Sequence, residues 1–335
     1  MLNPNLKLNP KLFSEGVEVK SMRQGFGQGL LKAGEENENV VGLCADLAES
    51  TQMNFFAEKF PKRFVEVGVA EQNLVTVASG MAAMGKIPFC ASYAVFSPGR
   101  NWEQIRTTIA YNNRPVKIVG SHAGVSVGPD GGSHQALEDI ALMQVIPNID
   151  VISPCDAFEA KKATEEIAKT EMPSYLRLIR EKTPMITTVE TPFEIGKAEI
   201  YWIPEVGLAQ VGIIATGALL YQALVAAKEL ELEGIKTKVM NLASIKPIDE
   251  EAIIKLAKET RGIVTVEEHQ IKSGMGSTIS EILAQNYPVP IEFIGVHDKF
   301  GQSGTSKELL DNYDLNKDSI KRAVKKILER KENNN

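Results

Sequence analysis

Val67-Gly-Val-Ala-Glu-Gln-Asn73 runs directly into an apolar segment that extends from Leu74 to Met84. Apolar residues recur at helical spacing in this segment, which predicts a short loop followed by a helix with one buried face. Glu71 then lies in the first turn of that helix, beside apolar neighbours. A carboxylate in this position either complements the helix dipole or serves in a functional site.

The longer stretch Phe64-Val-Glu-Val-Gly-Val-Ala-Glu-Gln-Asn73 resembles the thiamine-diphosphate segment of the transketolase family. The resemblance covers nearly the whole chain and corresponds to the second half of a full-length transketolase, namely its pyrimidine-binding and C-terminal domains. It implies that the cofactor is thiamine diphosphate and that Glu71 is a catalytic residue that contacts N1′ of the aminopyrimidine. The chain resembles the C-terminal subunit of a split transketolase.

The composition limits the class of protein. The chain has 335 residues, of which 43% are hydrophobic and 24% charged, and this length suits two domains. A formal net charge of −6 and a pI near 5.5 argue against a nucleic-acid partner held by charge. The polar start of the chain is unlike a signal peptide, and no apolar run is long enough for a bilayer, so we expect a cytoplasmic protein without a membrane partner.

Apolar runs and amphipathic segments alternate along the first half of the chain. Strands are predicted at Val40 to Cys44, Ile87 to Ser92 and Pro115 to Gly120, and helices at 17–35 and Arg100 to Tyr111. Such alternation predicts a mostly parallel sheet with helices on both faces. Ligands of such sheets bind beyond the carboxyl ends of the strands.

The segment 181–200 carries prolines and few helix signals, which predicts a domain boundary. A second alternating unit follows it. The fold class we predict is α/β, with two three-layer domains and mostly parallel sheets, of the type found in thiamine-diphosphate enzymes. By resemblance, residues 1–190 form the pyrimidine-binding domain and residues 191–335 the transketolase C-terminal domain.

Three aromatic residues, Tyr93, Phe96 and Trp102, lie within ten positions in a chain that is only 6% aromatic. Aromatic rings can hold the face of a pyrimidine by stacking, although packing in a core is their commoner role. By resemblance, all three bind the cofactor. The family has phenylalanine where Tyr93 aligns and places its third aromatic residue slightly differently from Trp102.

The loop from Gly120 to Gln135 holds two of the four histidines, and Asp130 lies among its five glycines. Histidine suits proton transfer near neutral pH, and glycine lets the backbone approach a ligand closely. By resemblance, His122 faces the phosphate end of the substrate, and His134 lies near the reacting carbonyl and hydroxyl, both in catalytic roles. Asp130 accepts a hydrogen bond from the hydroxyl beside the cleaved bond. A surface loop with incidental histidines is the alternative, and no third ligand is spaced for a metal site.

Phosphate recognition requires fixed cations and hydroxyl donors. By resemblance, Arg23, Ser50 and Arg180 match family positions that hold a sugar phosphate, and Asp46 matches a position near the cofactor's thiazolium. Each has an ordinary alternative. Arginines are commonly solvated surface residues, and an aspartate after a strand commonly forms an Asx turn.

The diphosphate half of the family carries a Gly-Asp-Gly motif that binds Mg²⁺, but this sequence contains no Gly-Asp dipeptide. The resemblance therefore implies a partner, an N-terminal diphosphate-binding transketolase subunit that supplies the Mg²⁺ ligands, in an α2β2 hetero-oligomer. The cofactor then lies between the two kinds of chain.

The function that the resemblance implies is transketolase activity in the pentose phosphate pathway. A two-carbon ketol group passes from a ketose phosphate to an aldose phosphate through thiamine diphosphate. Two related enzymes remain open, a 1-deoxyxylulose-5-phosphate synthase-like enzyme and the β subunit of a 2-oxo-acid dehydrogenase. A non-catalytic assembly or regulatory module is an alternative of another class.

Overall fold

The computed structural model describes residues 1–333. Its strands are β1 Val19–Ser21, β2 Val40–Cys44, β3 Phe64–Glu66, β4 Ile87–Tyr93, β5 Lys117–Ser121, β6 Asp150–Ile152, β7 Ser174–Arg177, β8 Lys182–Pro184, β9 Glu199–Trp202, β10 Val211–Ala215, β11 Thr237–Asn241, β12 Ser244–Lys246, β13 Ile263–Gln270 and β14 Ile291–Val296. Its α-helices are α1 Met22–Glu36, α2 Ala48–Thr51, α3 Asn54–Lys59, α4 Glu71–Ala83, α5 Trp102–Gln104, α6 Asp139–Gln144, α7 Ala157–Ile167, α8 Leu220–Leu232, α9 Glu250–Thr260, α10 Met275–Asn286, α11 Ser306–Asn312 and α12 Lys317–Glu332.

Two large sheets organise the chain. The first has the strand order β12-β6-β7-β5-β4-β2-β3 and is parallel except for β12, which runs antiparallel to β6. The second has the order β14-β13-β10-β11-β9 and is parallel except for β9. The predicted fold class, two α/β units with mostly parallel sheets, is therefore confirmed.

Both faces of the first sheet are covered. Successive residues of a strand point to opposite faces, so neighbouring residues pack in different cores. Val40 of β2 packs in the core that contains Phe26 of α1. Leu43 of the same strand packs in a different core, which contains Leu74 of α4. The first unit thus has three layers.

The second sheet is covered in the same way. Ile213 of β10 packs with Leu224 of α8, whereas its neighbour Ile214 packs with Ile279 of α10. The core that contains Ile214 is the one that contains Leu74, so a single apolar core joins the two units. Burial of this shared surface fixes one unit against the other.

The two units also exchange segments. Leu6 and Leu12, from the start of the chain, are buried in the core beneath the second sheet. In the other direction, β12 pairs with the edge of the first sheet although it follows residue 190 in sequence. The domain division at residue 190 stays a prediction.

Two predicted helices differ from the structure. The helix predicted at 17–35 begins only at Met22, because Val19–Ser21 pairs with Lys182–Pro184 as an antiparallel ribbon. In the helix predicted from Arg100 to Tyr111, a single α-helical turn is followed by a π-helix over Ile105–Ala110. At the first of these places a tertiary contact overrides local propensity. No helix within residues 1–333 combines the length and apolar character that crossing a bilayer requires.

Candidate functional site

The candidate site lies at one edge of the first sheet. Strands β2, β4 and β5 are parallel, so their carboxyl ends meet there. Asp46 follows β2, Tyr93 ends β4 and His122 follows β5. All three residues therefore lie at or just beyond the carboxyl end of a strand.

Glu71 is the first residue of α4 and its side chain is 3% exposed. Its Oε2 lies 3.0 Å from Nη1 of Arg100, with which it forms an ion pair. Its Oε1 is buried and has no hydrogen-bond partner within residues 1–333. Glu71 also lines an open cleft of about 850 Å³. A buried oxygen without a partner is costly, so this atom is suited to a ligand that donates to it or shares a proton with it.

Four predicted site residues form one cluster of rings. The imidazole of His122 lies on the ring of Tyr93, with centroids 3.8 Å apart, and Phe96 is stacked on Tyr93 at 5.9 Å. His134 meets the ring of Phe96 edge-on at 5.4 Å. The structure therefore brings together residues that are up to 41 positions apart in sequence.

Two residues of the site were missed by the sequence analysis. The guanidinium of Arg100 lies 4.0 Å above the ring of Phe96 while it pairs with Glu71, so it joins the carboxylate to the ring cluster. Asn101 is buried and donates from Nδ2 to the main-chain oxygen of Glu71 at 2.9 Å. A signal was present, because Arg100 is the first charged residue after Lys86.

The imidazole of His122 is 3% exposed, and its Nδ1 lies 2.8 Å from Oγ of Ser121. Burial lowers the pKa of His122 to about 3, and the charges of Arg23, Arg180 and His134 act in the same direction. At neutral pH this ring is therefore uncharged. One ring nitrogen can donate a hydrogen bond and the other can accept one.

Arg23 and Arg180 lie beside this histidine and are held in place by main-chain oxygens. Arg23 donates from Nη1 to the oxygen of Ser50 at 2.6 Å and from Nη2 to the oxygen of Arg180 at 2.8 Å. Arg180 donates from Nη1 to the oxygen of Val127 at 2.7 Å. Nε of Arg23 is buried and has no acceptor in the described part of the chain. Two fixed guanidinium groups side by side suit an anionic substituent.

Three other predicted residues, Asp46, Asp130 and Trp102, lie outside these contacts. Asp46 is exposed, and its main-chain N–H donates to Oε1 of Glu66 at 2.7 Å. Asp130 is exposed at the end of the 3₁₀ segment Val125–Asp130. The indole of Trp102 donates to the oxygen of Leu142 at 2.7 Å and packs against the shared core, away from the ring cluster. The main-chain oxygen of Ser50 accepts from Arg23, and a phosphate contact of the Ser50 hydroxyl stays a prediction.

Comparison with known families identifies this arrangement. Residues 18–185 match the family model described as "Transketolase, pyrimidine binding domain", and residues 204–320 match the model described as "Transketolase, C-terminal domain". This chain belongs to the transketolase family. Members of this family are thiamine-diphosphate enzymes, and the orphaned Oε1 of Glu71 fits a ring nitrogen of that cofactor.

Relatives of similar length match nearly the whole of this chain in sequence. A protein of Methanocaldococcus jannaschii, provisionally named a transketolase C-terminal section, is 45% identical over 92% of this chain and 96% of its own length. The 6-deoxy-6-sulfo-D-fructose transketolase subunit SqwH of Clostridium sp. (strain MSTE9) is 36% identical over 95% of this chain and 98% of its own. The predicted likeness to the C-terminal subunit of a split transketolase is thus confirmed.

A solved structure supports the same relationship. A chain described as "Split gene transketolase, inactive beta4 tetramer" is 41% identical and superposes with a TM-score of 0.85 over 92% of this chain and 98% of that one. Human transketolase, in contrast, is matched over 51% of its length at 33% identity. Within residues 1–333, no group of three or more histidine, cysteine, aspartate or glutamate side chains is arranged to hold a metal ion.

Proposed function

We propose that this chain is the pyrimidine-binding subunit of a two-chain transketolase, which moves a two-carbon ketol group from a ketose phosphate to an aldose phosphate. The proposal depends on the buried Oε1 of Glu71, which has no partner among residues 1–333. Arg100 joins the same carboxylate to the stacked rings of Phe96 and Tyr93. A carboxyl oxygen and an aromatic platform together suit an aminopyrimidine.

The residues of this chain have different roles in the proposed cofactor site. When bound, thiamine diphosphate supplies the nucleophilic carbon and the electron sink for breaking a bond beside a carbonyl. Glu71 would hold a pyrimidine nitrogen through a proton shared with its free oxygen, and Phe96 and Tyr93 would hold the face of the ring. Arg100 holds the carboxylate of Glu71 in position by its ion pair at 3.0 Å.

The substrate side of the site is the loop that carries the histidines. The fixed guanidinium groups of Arg23 and Arg180 bind the anionic end of the sugar, and neutral His122 hydrogen-bonds beside them. His134 is half-buried at the edge of Phe96, where it can exchange a proton with a substrate hydroxyl. Asp130 accepts from the hydroxyl next to the bond that breaks.

A second chain completes the site. This chain spans half of a full-length transketolase, and the relative of known structure carries the description "inactive beta4 tetramer". We therefore propose that this chain is inactive alone and that an N-terminal diphosphate-binding subunit supplies the Mg²⁺ ligands in an α2β2 assembly. Removing Mg²⁺ with a chelator then abolishes turnover, and this chain stays folded because its own core is complete.

The anionic group of the substrate is open to a direct comparison. One relative is named for a sulfonated sugar, and another, of Phocaeicola vulgatus, for apulose 4-phosphate. Phosphate and sulfonate present similar oxygens to an arginine pair. We propose a ketose phosphate as the donor, and the comparison offers the assembled enzyme a 6-deoxy-6-sulfo ketose in place of xylulose 5-phosphate.

The test uses a tagged copy of this chain, alone and with the proteins that it retains from its native extract. Ketol transfer from xylulose 5-phosphate to ribose 5-phosphate is measured with thiamine diphosphate and Mg²⁺. We expect activity only in the retained material and its loss in the Glu71→Gln variant. Glu103→Gln is the matched control, because Glu103 is an exposed glutamate on α5, three residues after Arg100. Turnover of pyruvate but not of ketose phosphates, with a partner present, would favour the two related enzymes instead.

A further inference from the structure

Strand β13 of the second unit carries two adjacent buried glutamates near its carboxyl end, Glu267 and Glu268, which are 1% and 4% exposed. Neighbours on a strand point to opposite sides. Glu267 accepts from the N–H groups of Met275 and Gly276 at 2.8 and 2.9 Å, so it caps helix α10 of its own unit. Glu268 instead reaches the first unit.

Oε1 of Glu268 accepts from the N–H of Ser126 at 2.6 Å. Ser126 belongs to the loop that runs between His122 and Asp130. The carboxylate also lies directly against Gly124, where a Cβ would come within 2.2 Å of Oε1. Gly124 has a φ of +84°, which disfavours any other residue. The loop backbone therefore fits closely around the carboxylate of Glu268.

Glu268 is itself held firmly. Its main-chain oxygen accepts from Nη2 of Arg177 at 2.8 Å. Arg177 forms a buried ion pair with Asp139, in which Nε and Oδ2 are 2.8 Å apart. Both partners of that pair come from the first unit, so the end of β13 is fixed to the sheet that carries the site.

The far end of the same loop is tied to the second unit as well. Gln135 is buried and donates from Nε2 to the oxygens of Val125 and Gln302 at 3.1 and 3.0 Å. At Gly132, a Cβ would come within 2.6 Å of the oxygen of Gly301. Two contacts from the second unit thus enclose the segment that carries the substrate residues.

We propose that Glu268 is a positioning residue of this enzyme, which fixes the backbone from Gly124 to Ser126 and thereby the substrate-facing side chains of His122 and Asp130. The second unit then sets substrate affinity in addition to assembling the protein. This inference rests on the function proposed above for the loop, and the experiment separates the failure of one from the failure of the other.

The first measurement is steady-state kinetics of the assembled enzyme. Glu268→Ala leaves the Ser126 N–H without an acceptor, so we expect KM for the phosphorylated ketose to rise about tenfold with a smaller change in kcat. Glu268→Gln keeps an acceptor without its charge and gives an intermediate KM. Affinity for thiamine diphosphate stays unchanged. Glu267→Gln and Glu267→Ala are the matched controls, since they alter an equally buried glutamate that caps a helix of its own unit.

The second measurement is hydrogen exchange of the unassembled chain, which needs no activity. We expect amides over 123–130 to exchange faster in Glu268→Gln than in Glu267→Gln. Faster exchange in a chain whose assembled wild type transfers no ketol group would refute the proposed function and keep the positioning role. An active enzyme in which the Glu268 and Glu267 variants share the same KM and the same exchange would overturn the positioning role.

Discussion

The imidazole of His122 lies on the phenol ring of Tyr93, with centroids 3.8 Å apart and planes inclined by 26°. This contact buries a titratable ring next to Arg23 and Arg180. Burial and the neighbouring charges together lower the pKa of His122 to about 3. His122 is therefore uncharged at pH values where an exposed histidine would be protonated.

His122 should make the protein less stable in acid. An unfolded histidine binds its proton near pH 6.5, whereas folded His122 binds it near pH 3. The unfolded state thus holds more protons in this window, so the free energy of unfolding falls as the pH drops from about 6.5 towards 3. We expect His122→Gln to lose less stability than the wild type between pH 7 and pH 5 in urea unfolding. Equal losses in the two proteins would contradict the lowered pKa.

The arginine fork should discriminate phosphorylated from unphosphorylated sugars. Arg23→Lys cannot donate to Ser50 and Arg180 while it also faces a phosphate, because lysine has no planar fork. We expect kcat/KM for xylulose 5-phosphate to fall by about tenfold or more, with little change for xylulose. Arg63→Lys is the control, since Arg63 also donates to main-chain oxygens but lies elsewhere. A uniform loss on both sugars would argue against a phosphate contact.

Asn101 should support the start of α4. Its Nδ2 donates to the oxygen of Glu71 at 2.9 Å and to Oγ of Ser97 at 3.1 Å, and the residue is buried. Asn101→Ala is expected to cost about 1–3 kcal/mol of unfolding free energy, because buried partners lose their donor. Chemical denaturation measures this loss. Asn112→Ala, at an exposed asparagine that also bonds main-chain oxygen, should cost less, and an equal cost would show that the Asn101 contact adds nothing specific.

Because of Lys117, the protein should become more stable as the pH rises into the mildly alkaline range. This lysine is fully buried, and its Nζ donates to the oxygen of Thr170 at 2.8 Å. Burial lowers its pKa to about 7 from an ordinary 10.5. Between these values the unfolded state binds more protons, so the free energy of unfolding rises from pH 7 to pH 9. We expect Lys117→Met to be less stable than the wild type and to lack this rise, whereas Lys59→Met, at an exposed lysine, retains it. A rise that persists in Lys117→Met would refute the assignment.

Local pattern was sufficient for much of the fold. The period of the apolar residues after Asn73 predicted α4, and the runs at Val40 and Ile87 predicted β2 and β4. These elements bury one face or both, and burial of a face produces a regular spacing of apolar residues that can be read from the local sequence. The prediction of a helix over 17–35 was wrong at its start, because Val19–Ser21 pairs with a strand far along the chain.

The sequence by itself indicated the family, through the segment from Phe64 to Asn73, and the place of Glu71 at the start of a helix. Only the tertiary structure decided what those residues touch. Arg100 pairs with Glu71 across 29 positions, and Glu268 reaches Ser126 across 142. Such contacts depend on how the two sheets pack around a shared core. The periodicity of nearby residues predicts helices and strands, but it does not predict which distant side chains meet.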